Sequence, residues 1–180
     1  AVRSRSTAEV ADGLALGGRR PMSYADGTDA AYDSGVFVAP PIGEWTLAHG
    51  TELSDDIEPL GSDFLPWLAK LSRHLGEVQY FGTHRVSEWH QWARADSGTV
   101  LRAFGYADGE VMLSVGEPTA AEIDIDPDEE DVLRIAGQWS VNPGEIDDEA
   151  VAEPGLFGSL TWREPGARRT LRSAVPPPYA

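Results

Sequence analysis

The stretch His84-Arg85-Val86-Ser87-Glu88-Trp89-His90-Gln91-Trp92 holds the densest group of reactive side chains in the chain. Read as one strand, it alternates faces: His84, Val86, Glu88, His90 and Trp92 share one side, and Arg85, Ser87, Trp89 and Gln91 the other. Same-face neighbours then stand about 6.5–7 Å apart, so Glu88 and His90 could converge on one metal ion or one substrate proton. With His84 they offer two imidazoles and a carboxylate, a familiar ligand set. Three ligands on one straight strand rarely converge without a bend, and the spacing matches no helical zinc-protease pattern. No metal is therefore assigned. General acid–base chemistry asks for less: one histidine near neutral pKa and a carboxylate to orient it. His90 with Glu88, His84 with Glu77, or His49 from another part of the chain could supply it. Ser87, Ser114 and Thr83 are conceivable nucleophiles, but no Gly-x-Ser-x-Gly elbow accompanies them. The competing reading is that these histidines hold backbone groups or lie half exposed. The catalytic set stays unknown, with His84, Glu88, His90 and His49 as candidates.

A binding surface is the other chemistry in the same region. Trp89 and Trp92, interleaved with Arg85, Arg94 and Arg102, could form an aromatic and cationic recognition face. The competing reading is a core that needs large residues, since aromatics bury the most area per residue. Asp124, Asp126 and Asp128 recur like the start of a calcium loop. Glu129 stands where that loop needs glycine and Ile135 where it needs glutamate, which excludes it. No phosphate loop, dinucleotide fingerprint or kinase motif is present, so no cofactor is expected.

The elements that must position these residues read most clearly after Gly35. VFVAP (36–40) is a short strand stopped by prolines, and 44–50 alternates like a second one. Residues 62–75 are the best amphipathic helix, capped by Ser62 and stopped by Gly76. Residues 77–85, 86–96, 99–107 and 110–116 read as four strands on short connections, with Ser97-Gly98 and Asp108-Gly109 as turns. Thr119 and Glu122 fit a capping box, and 128–139 a helix with acids at its positive N-terminal end. One late strand is expected within 155–164. The N-terminal 1–34 reads as a helical extension, 35–145 as the core domain, and 146–180 as an irregular, acidic then basic, Pro-rich tail. The expected fold is α+β, an antiparallel meander of about five to seven strands with helices packed on it.

Composition sets the outer limits. The chain has 180 residues, no Cys and a formal net charge of −16. That excludes disulfide scaffolds, thiolate metal sites and cysteine catalysis, and fits a reducing cytoplasm. It argues against nucleic acid and anionic membranes as partners and favours basic protein surfaces. No apolar run is long enough to span a bilayer, and the first residues lack a signal peptide's hydrophobic stretch. The chain begins at Ala1, which leaves room for an initiator Met or a longer precursor. Residues 121–153 hold twelve acids against Arg134 alone, whereas 61–120 is nearly balanced. Basic ends on an acidic body also suit a structural subunit whose termini grip neighbours.

The phrases YFGTHR, WARA and RAFGY, within 35–145, resemble a family of uncharacterised proteins from high-GC bacteria. The resemblance implies an intracellular bacterial origin and an α+β domain, and carries no activity or site residue. In general style the chain also resembles toxin-neutralising immunity proteins, a likeness of fold class alone. The expected function is a non-catalytic protein-interaction module, of the kind an immunity-type inhibitor would be, binding a partner with a basic surface. The alternatives are a small hydrolase-like enzyme using the His/Glu cluster and a subunit of a larger assembly.

Overall fold

Two of the turns read from the sequence organise the centre of the structure, a computed structural model that describes residues 1–55, 60–84, 88–148 and 151–161. Ser97-Gly98 and Asp108-Gly109 all have positive φ, the geometry that matches a two-residue turn to strand twist. In chain order the elements are β1 (Val2–Arg3), α1 (Thr7–Gly13), β2 (Leu16–Met22), α2 (Tyr24–Asp33), β3 (Val36–Val38), β4 (Trp45–Thr46) and β5 (Ala48–His49). There follow α3 (Thr51–Asp55), α4 (Phe64–Leu75), β6 (Val78–His84), β7 (Trp89–Asp96), β8 (Thr99–Ala107), β9 (Glu110–Val115), α5 (Glu129–Trp139) and β10 (Gly155–Leu160).

The fold is α+β with two antiparallel sheets. One has six strands in the order β4-β1-β6-β7-β8-β9, of which β6 to β9 are the expected meander. The other has four strands in the order β2-β10-β3-β5. Residues 1–34 thus contain two strands besides their two helices, one in each sheet. Segment 44–50, expected as one strand, divides at Leu47: β4 pairs with β1, and β5 pairs with β3 in the other sheet. A strand that changes sheets keeps the alternating pattern of a single strand, so periodicity could not reveal the break.

Each face of the six-stranded sheet has its own cover. On one side Phe64, Leu68, Leu71 and Leu75 of α4 meet Val78, Tyr80, Ala93, Ala95 and Ala103. The alanines let the helix approach closely, and Val36, Val38, Leu16 and Leu160 of the second sheet complete that core. On the other side Val132 and Ile135 of α5 and Ala121 pack on Trp92, with Phe81, Phe104 and Trp139 around them. Asp63, not Ser62, precedes α4, and it makes no side-chain cap bond. Asp128 caps α5 by accepting the Asp131 N–H at 2.8 Å. The Thr119–Glu122 capping box forms as read, on a short 3₁₀ turn over Ala120–Glu122. Around Phe37 the second sheet packs on α2 through Tyr24 and Ala31. A Cβ at Gly27 or Gly155 would collide with the Phe37 ring, so both positions need glycine. Among the described residues no helix is long and apolar enough to cross a membrane.

Candidate functional site

The chemistry-rich stretch is a hairpin, and this separates its candidates. His84 ends β6 opposite Trp89, whereas His90 lies opposite Thr83. Directly opposed residues share a face and successive ones alternate, so His84 and His90 lie on opposite faces of the sheet. Glu88 is exposed in the turn, at φ 42°. Arg85 lies outside the described residues, as do Val86 and Ser87. His90 is buried, with its Nδ1 2.9 Å from Thr83 Oγ1. The three-ligand cluster read from one straight strand is therefore not assembled, because the chain reverses between its members. Among the described residues no group of three His, Asp or Glu is placed to hold a metal ion.

The aromatic and cationic face divides in the same way. Trp92 is fully buried and stacks on Phe104 with centroids 4.5 Å apart. Arg94 lies 5.3 Å above the Trp139 ring. Arg102 is buried too, and ion-paired with Glu122 at 2.6 Å. Its remaining donors reach Ala103 O, Ser114 Oγ, Val115 O and Gly116 O. Burial alone would raise the Glu122 carboxyl. Hydrogen bonds from Arg102 and from the Thr119 backbone and side chain overcome that and hold it below the usual carboxylate range. Arg102 and Trp92 thus form a closed polar centre under α5, out of reach of a partner. Of the described members of the proposed face, Trp89 lines an open cavity.

That space is a cavity of about 520 Å³ between the facing edges of β5 and β6, bounded by α2, α3 and α5. It is a normal size for a ligand pocket and mostly apolar, with a few polar groups. His49 is the one catalytic candidate lining it. Its Nε2 is 3.2 Å from Thr28 Oγ1, and its ring meets Phe37 and Tyr24 at 5.6 and 6.4 Å. Burial lowers the His49 pKa below the ordinary histidine value. Tyr24 is raised, by burial and then by Asp148. Tyr80, packed edge-on against Phe64 at 5.0 Å, is raised by burial alone. Tyr24, Thr28, Tyr80 and Asp148 were not singled out by the sequence. They come from three separate segments, α2, β6 and the stretch before β10, which only the tertiary fold brings to one cavity.

A second concavity, of about 680 Å³, is more open and has different chemistry. Pro41, Ile42, Val141, Ile146 and Val151 supply apolar surface, and Glu145, Asp147 and Glu153 supply acids. Among the described residues no Lys or Arg lines it. Elsewhere several of the described bases face partners within the chain: Arg3 meets Glu44 and Glu77, Arg19 meets Asp12, and Arg134 meets Asp131. Arg20 lies over the Phe157 ring. Comparison of the chain with protein-family models, with curated proteins and with solved structures finds no match in any of the three.

Proposed function

We propose that the protein is a protein-interaction module that receives a basic surface of a partner. The observation that carries this reading is the open groove with an apolar floor, exposed Glu145, Asp147 and Glu153, and no basic residue among the described residues of its lining. Among the described residues, Arg3, Arg19 and Arg134 lie against the chain's own carboxylates and Arg20 lies over a ring. An acidic groove of this kind steers a basic partner and sets its register, while the apolar floor supplies contact area. The partner is obtained by cross-linking in the native host at low salt and identified by mass spectrometry. Binding is then measured against ionic strength for the wild type and for Glu145→Lys/Asp147→Lys/Glu153→Lys. The reading expects affinity to fall steeply with salt, and the triple variant to lose at least about tenfold. Binding that ignores both salt and charge reversal would overturn it.

A further inference from the structure

We propose that the outer edge of β9 binds an extended segment of a partner protein, apolar in its middle and basic at both ends, as a seventh strand of the larger sheet. The edge shares no residue with the acidic groove, so the two readings stand or fall separately.

The two sheets have four edges, and β9 differs from the other three. β4 and β5 are two residues long. On β4 the backbone of Trp45 is already taken by Ile42, whose N–H donates to Trp45 O at 2.7 Å and whose O accepts from Trp45 N–H at 3.1 Å. β2 is seven residues long, but it carries exposed Arg19 and Arg20, and Pro21 has no N–H to offer. β9 has six residues with no Lys, Arg or Pro, and Val111 and Met112 on it are 57% and 59% exposed. Among the described residues no strand lies beyond it. A long edge that shows apolar side chains and lacks guarding charges is a template for strand pairing.

Register decides which backbone groups the edge offers. Asp108 and Gly109, both at positive φ, make a two-residue turn, so Ala107 and Glu110 exchange backbone bonds. Along β8 the same side recurs at Gly105 and Ala103, which lie opposite Leu113 and Val115. Glu110, Leu113 and Val115 therefore turn their N–H and C=O groups into the sheet, and Val111 and Ser114 turn theirs outward. Among the described residues no backbone bond outside the strand ladders reaches Val111 or Ser114. Met112 is the extra residue where the register shifts. Val111 and Ser114 lie opposite Tyr106 and Phe104, which are two residues apart on β8, so the bulge leaves the outward groups at ladder spacing.

Charge selects the occupant. Asp108 and Glu110 stand exposed at one end of the edge and Glu117 at the other, and no Lys or Arg occurs between Ala103 and Thr119. A second copy paired antiparallel, with Val111 across from Ser114, would bring Asp108 of each chain to Glu117 of the other, and like charges oppose such a pair. A strand with Lys or Arg at both ends meets carboxylates at both. Directly opposed residues share a face, so the partner residue across from Val111 lies beside Val111 and Tyr106 and is apolar. Main-chain pairing at a sheet edge is a general mode of peptide recognition.

The probe is a library of capped heptapeptides, acetyl-Lys-X-X-X-X-X-Lys-amide, with X drawn from Val, Ile, Thr and Tyr. Extended, its lysines stand about 20 Å apart, which matches the edge from Glu110 to Glu117 with the bulge adding no step. Amide exchange of the full chain is followed by NMR. The best members are expected to slow exchange at Val111 and Ser114 and to leave Leu113 and Val115 as they were. Methylating the peptide nitrogens that face the edge should weaken binding about tenfold, the worth of one or two net backbone hydrogen bonds. Methylating the other nitrogens should do less, and glutamate in place of both lysines should weaken binding at least about threefold. Val111→Lys, at an exposed position, should keep the unfolding midpoint and lose the protection, whereas Val111→Thr should retain it. The proposal is overturned if no library member protects Val111 and Ser114, or if methylating the facing nitrogens makes no difference. Protection of both amides in the dilute protein alone would show that the chain covers its own edge, and protection that grows with protein concentration would show a second copy. Either result overturns the proposal.

Discussion

The molecule has two polar regions that differ in one respect: the Arg102–Glu122 pair is buried and bonded within the chain, and the cavity beside β5 and β6 is open. In the first, a guanidinium and a carboxylate are buried, paired at 2.6 Å, and supported by Thr119, Ser114 and backbone carbonyls. In the second, the Phe81 and Thr83 backbone groups turn away from β7 with no ladder partner among the described residues, and the side chains around them are mainly apolar. The contrast separates charge from availability. The conspicuous ionic residues of the strand block hold the fold together, whereas the cavity beside β5 and β6 is lined mainly by apolar groups.

The largest expected effect comes from breaking the closed centre. Glu122→Gln or Arg102→Met should each cost about 3–5 kcal/mol in denaturant unfolding, because each strands the other partner in a buried site. Arg102→Met combined with Glu122→Leu should recover much of that loss, since two apolar groups leave no stranded charge. If the single changes cost no more than a surface pair, the centre is not closed. Gly27→Ala should cost about 1–3 kcal/mol by forcing the Phe37 ring aside, which would test whether α2 is held as tightly as its packing requires. Gln91 offers a change in the other direction. It is fully buried between Gly82 and Gly105, and neither amide atom has a partner. Gln91→Met should raise stability by about 1 kcal/mol, because it removes two unsatisfied groups at similar volume.

The smallest effect belongs to His49 in the cavity. Its folded pKa is lowered, so the unfolded chain binds the proton more readily. The stability this contributes is fully present above about pH 6.5, the ordinary histidine value, and is lost as pH falls toward the lowered one. His49→Gln should flatten stability across that window and leave it unchanged at pH 8. A wild-type profile with no slope there, or one unaffected by the substitution, would remove His49 from the buried lining.

The fold class, the meander, α4, α5 and the turns were legible because local physics dictates them. Apolar spacing, Asp-Gly and the Thr119–Glu122 box act over a few residues. The split of 44–50 between two sheets was not legible, because β4 and β5 keep one alternating pattern on both sides of Leu47. The candidate cluster was misplaced for a related reason. One strand and a hairpin show the same residue types, but the reversal puts His84 and His90 on opposite faces. The outer edge of β9 was not legible either. Its outward groups are backbone atoms common to every residue, and only strand order and register show where they face.

The most direct measurement is amide exchange along β6 in the protein alone. Tyr80 and Gly82 are paired with Ala93 and Gln91 in the hydrogen-bonded positions, whereas Phe81 and Thr83 turn away from β7 toward the cavity. The account predicts slow exchange at Tyr80 and Gly82 and exchange at least about tenfold faster at Phe81 and Thr83, in line with the absence of a ladder partner among the described residues. Uniformly slow exchange at all four would mean that the edge is already paired, and would contradict an open cavity beside it.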